Sequence, residues 1–242
     1  MSLLPWRAQR RVRISGAQAA GRFGEAVVTL PRGDGPFPLA AVVPGYTGHR
    51  FTIAWYARLA STGVAIVTVG TLNRRDHVPE RAAQLLAALD QVVADPRTAE
   101  LVDPARLAVI GHSMGGAGAM LAASQRPEIR AVIALTPWSN AATPRGLRAP
   151  TLIVGAEHDR TAPPGRHARP MFDALPDDTP HAYVELRGGS HYAPLLRPHP
   201  VIERAAGGWL ARYVLADPAA PAPDALLRSL DDRRIVTAIA RA

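Results

Sequence analysis

The sequence predicts an α/β fold, a mostly parallel central sheet with helices on both faces, and two observations carry that reading. Short apolar runs alternate along the chain with helix-patterned segments, as strands and crossover helices do. Most of those runs are β-branched and flanked by Gly or Pro, which suits strands covered on both sides. The 242 residues fit one large domain around a single core.

The strands are expected at 25–30, 39–43, 64–69, 106–110, 131–135, 151–154 and 183–186. The first lie before any helix and suggest an antiparallel edge ahead of the doubly wound part. The clearest helix begins at Pro79, where proline is tolerated in a first turn. It carries Leu85, Leu89, Val92 and Val93 on one face and stops before Pro96. Further helices are expected at 52–61, 113–124, 164–174 and 200–214. The main domain is read as 1–216, followed over 217–242 by a Pro/Ala linker and a tail expected to be helical from 224 to 240.

Composition narrows the function. The formal charge is +8, and all 28 basic residues are arginine. They are scattered rather than gathered with aromatics into a groove; the densest run is Arg7, Arg10, Arg11 and Arg13. This pattern reads as a solvated surface, and no nucleic-acid partner is expected. The chain has no cysteine, which excludes disulfides, thiolate nucleophiles and zinc thiolate sites. Its opening, MSLLPWRAQRRVRISG, lacks the apolar core of a secretory signal, and no segment approaches the ~18 apolar residues of a membrane span. A cytoplasmic protein without a membrane partner is the expectation, or a secreted one if a signal has been removed.

The chemistry centres on Gly111-His112-Ser113-Met114-Gly115, between the strand ending at Ile110 and a helix pattern. A serine at so sharp a strand-to-helix turn is a nucleophile elbow. Neighbouring chain passes so close that Gly111 and Gly115 have no room for a side chain, and Gly116 to Ala119 continue the smallness. The new helix aims unpaired N–H groups and its positive end at charge developing near Ser113.

Two partners follow in the chain order Ser, Asp, His. Asp159 lies in the loop after the strand at 151–154, where open α/β sheets build their sites, with Glu157 its nearest rival. His191 lies in Gly188-Gly189-Ser190-His191, a loop able to swing an imidazole over the serine. Of the other histidines, His112 is expected to line the cleft and His158 to sit beside the acid. His49, His77, His167, His181 and His199 read as surface or loop residues. A serine hydroxyl needs a base as it attacks; His191 supplies it, and Asp159 fixes its tautomer. The oxyanion needs two donors, expected as the N–H groups of Met114 and of Tyr46 in Pro44-Gly45-Tyr46-Thr47-Gly48. No metal or cofactor is required.

At these residues the chain resembles the polyester hydrolase and cutinase group of α/β hydrolases, which includes enzymes cleaving poly(ethylene terephthalate), with dienelactone hydrolases as more distant relatives. The resemblance spans 44–214 through PGYTG, AWYARLA, GHSMGG, Thr136-Pro137-Trp138, GAEHD and GGSHY. It implies the α/β-hydrolase fold, the triad Ser113, Asp159 and His191, and oxyanion amides on Tyr46 and Met114. It also implies that Tyr46 and Trp138 flank the acyl group in a shallow cleft, an apolar platform for an aromatic or alkyl acid.

This chain departs from the group in having neither signal nor cysteine and in its ending. It also carries Ser113 where dienelactone hydrolases use cysteine. The expected activity is hydrolysis of short- to medium-chain or aromatic esters, polyesters among them. The alternatives are an acyl-thioester or lactone hydrolase, and a non-catalytic small-ligand-binding protein on the same fold.

Overall fold

The computed structural model describes residues 10–16, 22–141, 143–144 and 146–241; Arg7 of the basic run lies outside them. The strands are β1 (Arg11–Ile14), β2 (Ala26–Thr29), β3 (Phe37–Val43), β4 (Ala65–Val69), β5 (Val102–His112), β6 (Ile129–Leu135), β7 (Thr151–Ala156), β8 (His181–Leu186) and β9 (Ile235–Arg241). Among the described residues they form one sheet in the order β1-β2-β4-β3-β5-β6-β7-β8-β9. The run from β4 through β8 is parallel, while β1, β2 and β9 pair antiparallel at the two ends.

The central strands are buried on both faces, which explains why they read as continuous apolar runs. On one face Leu39, Ala41, Val43, Val109 and Val132 pack with helices α1 (Val78–Ala94), α2 (Met114–Gln125) and α3 (Ala168–Asp173). On the other, Ala40, Val42, Ile110, Ile133 and Val154 pack with a 3₁₀ helix (Arg50–Thr62), helix α4 (Pro200–Tyr213) and the short helix α5 (Pro223–Arg228). Successive strand residues thus alternate between two cores, each sealed by its own helices.

Several elements differ from their sequence expectation. The segment read as a helix at 52–61 is 3₁₀, with Ser61 and Thr62 hydroxyls donating to carbonyls three residues back. The helix expected at 164–174 is confined to Ala168–Asp173. The tail read as helical over 224–240 is helical in α5, makes a 3₁₀ turn at Asp232–Arg234 and then becomes β9, antiparallel to β8. Ile235, Val236, Thr237 and Ile239 are β-branched, and β9 covers what would otherwise be the bare edge of β8. Strand β1, with its exposed arginines and buried Val12 and Ile14, lies inside the basic run.

The order of strands fixes where chemistry can occur. From β3 the chain crosses to β4 on one side and, by α1, to β5 on the other, so their carboxyl ends part to leave a crevice at the switch point. The loop after β3 and the turn after β5 face each other there.

Candidate active site

Ser113 is the residue on which β5 turns into α2, with φ 57° and ψ −123°. A non-glycine residue in the left-handed region carries about 1–3 kcal/mol of strain, which the surroundings must offset. They do so through hydrogen bonds. The Ser113 N–H donates to Leu135 O (2.9 Å), and its carbonyl accepts from Gly116 N–H (2.9 Å), Ala117 N–H (3.2 Å) and Trp138 N–H (3.0 Å). Flanking glycines are sterically required: a Cβ on Gly111 would lie 1.9 Å from Gly115 O, and one on Gly115 2.6 Å from Pro44 O.

The three residues chosen from sequence come together. His191 Nε2 lies 3.0 Å from Ser113 Oγ, and His191 Nδ1 lies 2.7 Å from Asp159 Oδ2. All three are buried. Burial pulls the Asp159 carboxyl up. Hydrogen bonds from His191 and from the Ala162 and Thr161 amides outweigh that and hold it below the usual carboxylate range. The two amides occupy Oδ1 (2.7 and 2.9 Å), which leaves Oδ2 to the imidazole.

The rival carboxylate faces away: Glu157 accepts from Gly188 N–H at 2.7 Å. With His158 N–H to Gly189 O (2.7 Å) and Glu157 N–H to Leu186 O (3.0 Å), it laces the acid loop to the histidine loop.

His112 occupies a different place from the one expected. It is 4% exposed and does not line an open cleft; its Nε2–H donates to the His191 carbonyl at 2.9 Å. Thr136 Oγ donates to the same carbonyl at 3.3 Å. Burial, with His191 adding to it, pushes the His112 pKa down to about 3, so its ring is neutral. His181, read as a surface or loop residue, is fully buried, edge-on to Phe172.

Two amides near the serine have no partner: among the described residues, neither Tyr46 N–H nor Met114 N–H donates to a protein acceptor. Gly45 brings the first of them close, since a Cβ there would lie 2.6 Å from Ser113 Cβ. The Tyr46 ring is 44% exposed, with His77 5.8 Å away. Trp138 is half-buried, and His167 stacks on it at 5.8 Å, its Nδ1 3.1 Å from Ser139 O.

The sequence profile of the family described as PET hydrolase-like matches residues 6–221. The chain belongs to the PET hydrolase-like family. Cutinase 2 of Thermobifida cellulosilytica is 42% identical over 198 residues, which are 81% of this chain and 75% of that one. Cutinase cut1 of Thermobifida fusca is equally identical over the same length, and the match covers 62% of it. Bis(hydroxyethyl) terephthalate hydrolase of Streptomyces coelicolor is 38% identical over 195 residues, 79% of this chain and 63% of that protein. As a member, the chain has the α/β-hydrolase fold and is a carboxylic ester hydrolase.

Two residues of the site have little or no sequence signal. Arg81 is fully buried behind the loop after β3. Its only signal is helical spacing, four residues before Leu85 on the apolar face of α1. His167 has none, because its contact with Trp138 joins segments distant in sequence.

Proposed function

We propose that this family member hydrolyses aromatic and aliphatic esters, polyesters included, through an acyl-enzyme on Ser113. The observation that carries it is the continuous relay from Ser113 Oγ through His191 to Asp159, at 3.0 and 2.7 Å. His191 Nε2 takes the serine proton as Oγ bonds to the acyl carbon. The tetrahedral oxyanion forms between the N–H groups of Tyr46 and Met114. The imidazolium, stabilised by Asp159, gives its proton to the departing alcohol oxygen. Water then enters by the same steps, with His191 as base, and the acid leaves.

A large substrate is supported by the openness of the site. Tyr46 is exposed, Trp138 half-exposed, and Tyr192, edge-on to His191, is 64% exposed. Flat rings at an open surface suit an aromatic acyl group that is part of a long chain. The relatives named as cutinases and as a bis(hydroxyethyl) terephthalate hydrolase support the same substrate class.

The test is a rate profile over p-nitrophenyl esters of increasing acyl length, bis(hydroxyethyl) terephthalate and a polyester film, for wild type and Ser113→Ala. Turnover of all classes by wild type and none by the variant is expected. A variant rate near wild type, or no fluorophosphonate adduct at Ser113, refutes the proposal.

A further inference from the structure

Arg81 lies in the first turn of α1, an unfavourable place for a cation because the helix's positive end is there. Its side chain is completely buried, and two of its three guanidinium nitrogens, Nε and Nη1, have no hydrogen-bond partner among the described residues. The third, Nη2, donates to Gly45 O at 3.2 Å and to Arg74 O at 3.0 Å. Burial lowers the group's pKa to about 10, with Asp76 and Glu80 pulling it back up, so it is charged at neutral pH. Room for it is made by α2, where a Cβ on Gly118 would come within 2.8 Å of Arg81 Cβ.

The atom it binds matters. Gly45 C=O and Tyr46 N–H belong to one peptide unit, and in a planar trans peptide the two bonds point in opposite directions. Gly45 O also accepts Gly48 N–H at 3.0 Å, so with Arg81 Nη2 two donors hold that carbonyl, and Tyr46 N–H points the opposite way from them. A positive donor on a peptide oxygen also draws electron density from its nitrogen, which makes the N–H a stronger donor.

We propose that Arg81 is a positioning residue for the oxyanion hole: by binding Gly45 O from within the protein, it fixes and polarises the Gly45–Tyr46 peptide so that Tyr46 N–H meets the developing oxyanion. This rests on the Ser113 hydrolase reading. Arg74 secures the next two peptides, donating from Nε (2.8 Å) and Nη2 (2.6 Å) to Thr47 O, while its own carbonyl accepts Thr47 N–H (2.6 Å). Arg81, by also binding Arg74 O, joins both loops.

The variants are Arg81→Met, of similar length but uncharged, and Arg81→Lys, which keeps the charge but loses the fork. Rates are measured with a p-nitrophenyl ester and its thiono analogue, whose C=S sulfur accepts hydrogen bonds poorly. Protein concentrations are normalised to the fluorophosphonate end point. Loss of one oxyanion donor costs about 10²–10³ in kcat, and a residue acting through that donor should cost roughly tenfold or more. For Arg81→Met, kcat on the oxo-ester should fall by about that factor with KM within about twofold. The oxo/thiono rate ratio should fall with it, and Arg81→Lys should recover part of the loss.

An unchanged kcat, or an equal loss on both esters, overturns the proposal and leaves Arg81 as a brace. If the Met variant does not fold, the ratio in Arg81→Lys decides by the same criterion. Absence of a Ser113 adduct in wild type would instead be failure of the hydrolase reading.

Discussion

Asp159→Asn changes one atom of the relay, and the structure dictates how the new amide must sit. Oδ1 of Asp159 accepts the N–H groups of Thr161 and Ala162, at 2.9 and 2.7 Å. The asparagine oxygen has to stay there, since the reverse orientation would put an NH₂ against two donors. Its NH₂ then faces His191 Nδ1, now 2.7 Å from Asp159 Oδ2. A donor at that position makes Nδ1 the acceptor and drives the imidazole proton onto Nε2, the nitrogen that must take the Ser113 proton. The wrong tautomer in such a triad costs about 10⁴ in kcat, roughly 5.5 kcal/mol of barrier. Because the replacement is isosteric, KM and the thermal midpoint should change little. The assay is kcat and KM on p-nitrophenyl acetate, with the ring N–H followed by proton NMR. A loss of less than about tenfold would mean that Asp159 does not set the tautomer.

Further outcomes follow from the same geometry. The folded-state pKa of His112 is about 3 against ~6.5 unfolded, so the unfolded chain binds the extra proton between those values. Stability is therefore lost as pH falls through that window. From pH 7 to pH 4 the wild type should lose about 3 kcal/mol more than His112→Gln in urea unfolding, and equal losses would contradict the assignment. Trp138→Ala should raise KM for an aromatic ester by about tenfold with a smaller effect on an acetyl ester, measured side by side, because a ring stack is worth about 0.5–1.5 kcal/mol beyond area burial. Ending the chain after Asp231 removes β9 and its buried Ile235, worth about 2 kcal/mol. Calorimetry should find the melting temperature lowered by roughly 4–8 °C.

The parallel core was legible because strands buried on both faces, such as Ala65–Val69, announce themselves as apolar runs. The meeting of Ser113, Asp159 and His191 was legible because close chain approach demands glycine around Ser113 and because loops after strand ends converge at one edge of the sheet. The sheet's two edges were hidden. In β1, arginine alternates with Val12 and Ile14, so the period of two was obscured by the charge of a longer basic run. In β9, alanines between β-branched residues left a helix plausible, and only pairing with β8 decides it. His112 and Arg81 escaped for another reason: a polar side chain is ordinarily placed outside, and each is inside because of one carbonyl, His191 O or Gly45 O, that no local pattern encodes.

The pairing of β9 with β8 reaches Leu186, opposite Ile235. Immediately beyond, Arg187 N–H donates to Arg234 O (2.9 Å) and Arg187 Nη2 to Ile235 O (2.9 Å), just ahead of the loop carrying His191. Strand β9 is thereby tied by hydrogen bonds to the start of the loop that carries His191. Loosening this strand would therefore act on the loop that carries His191 as well as on the sheet edge.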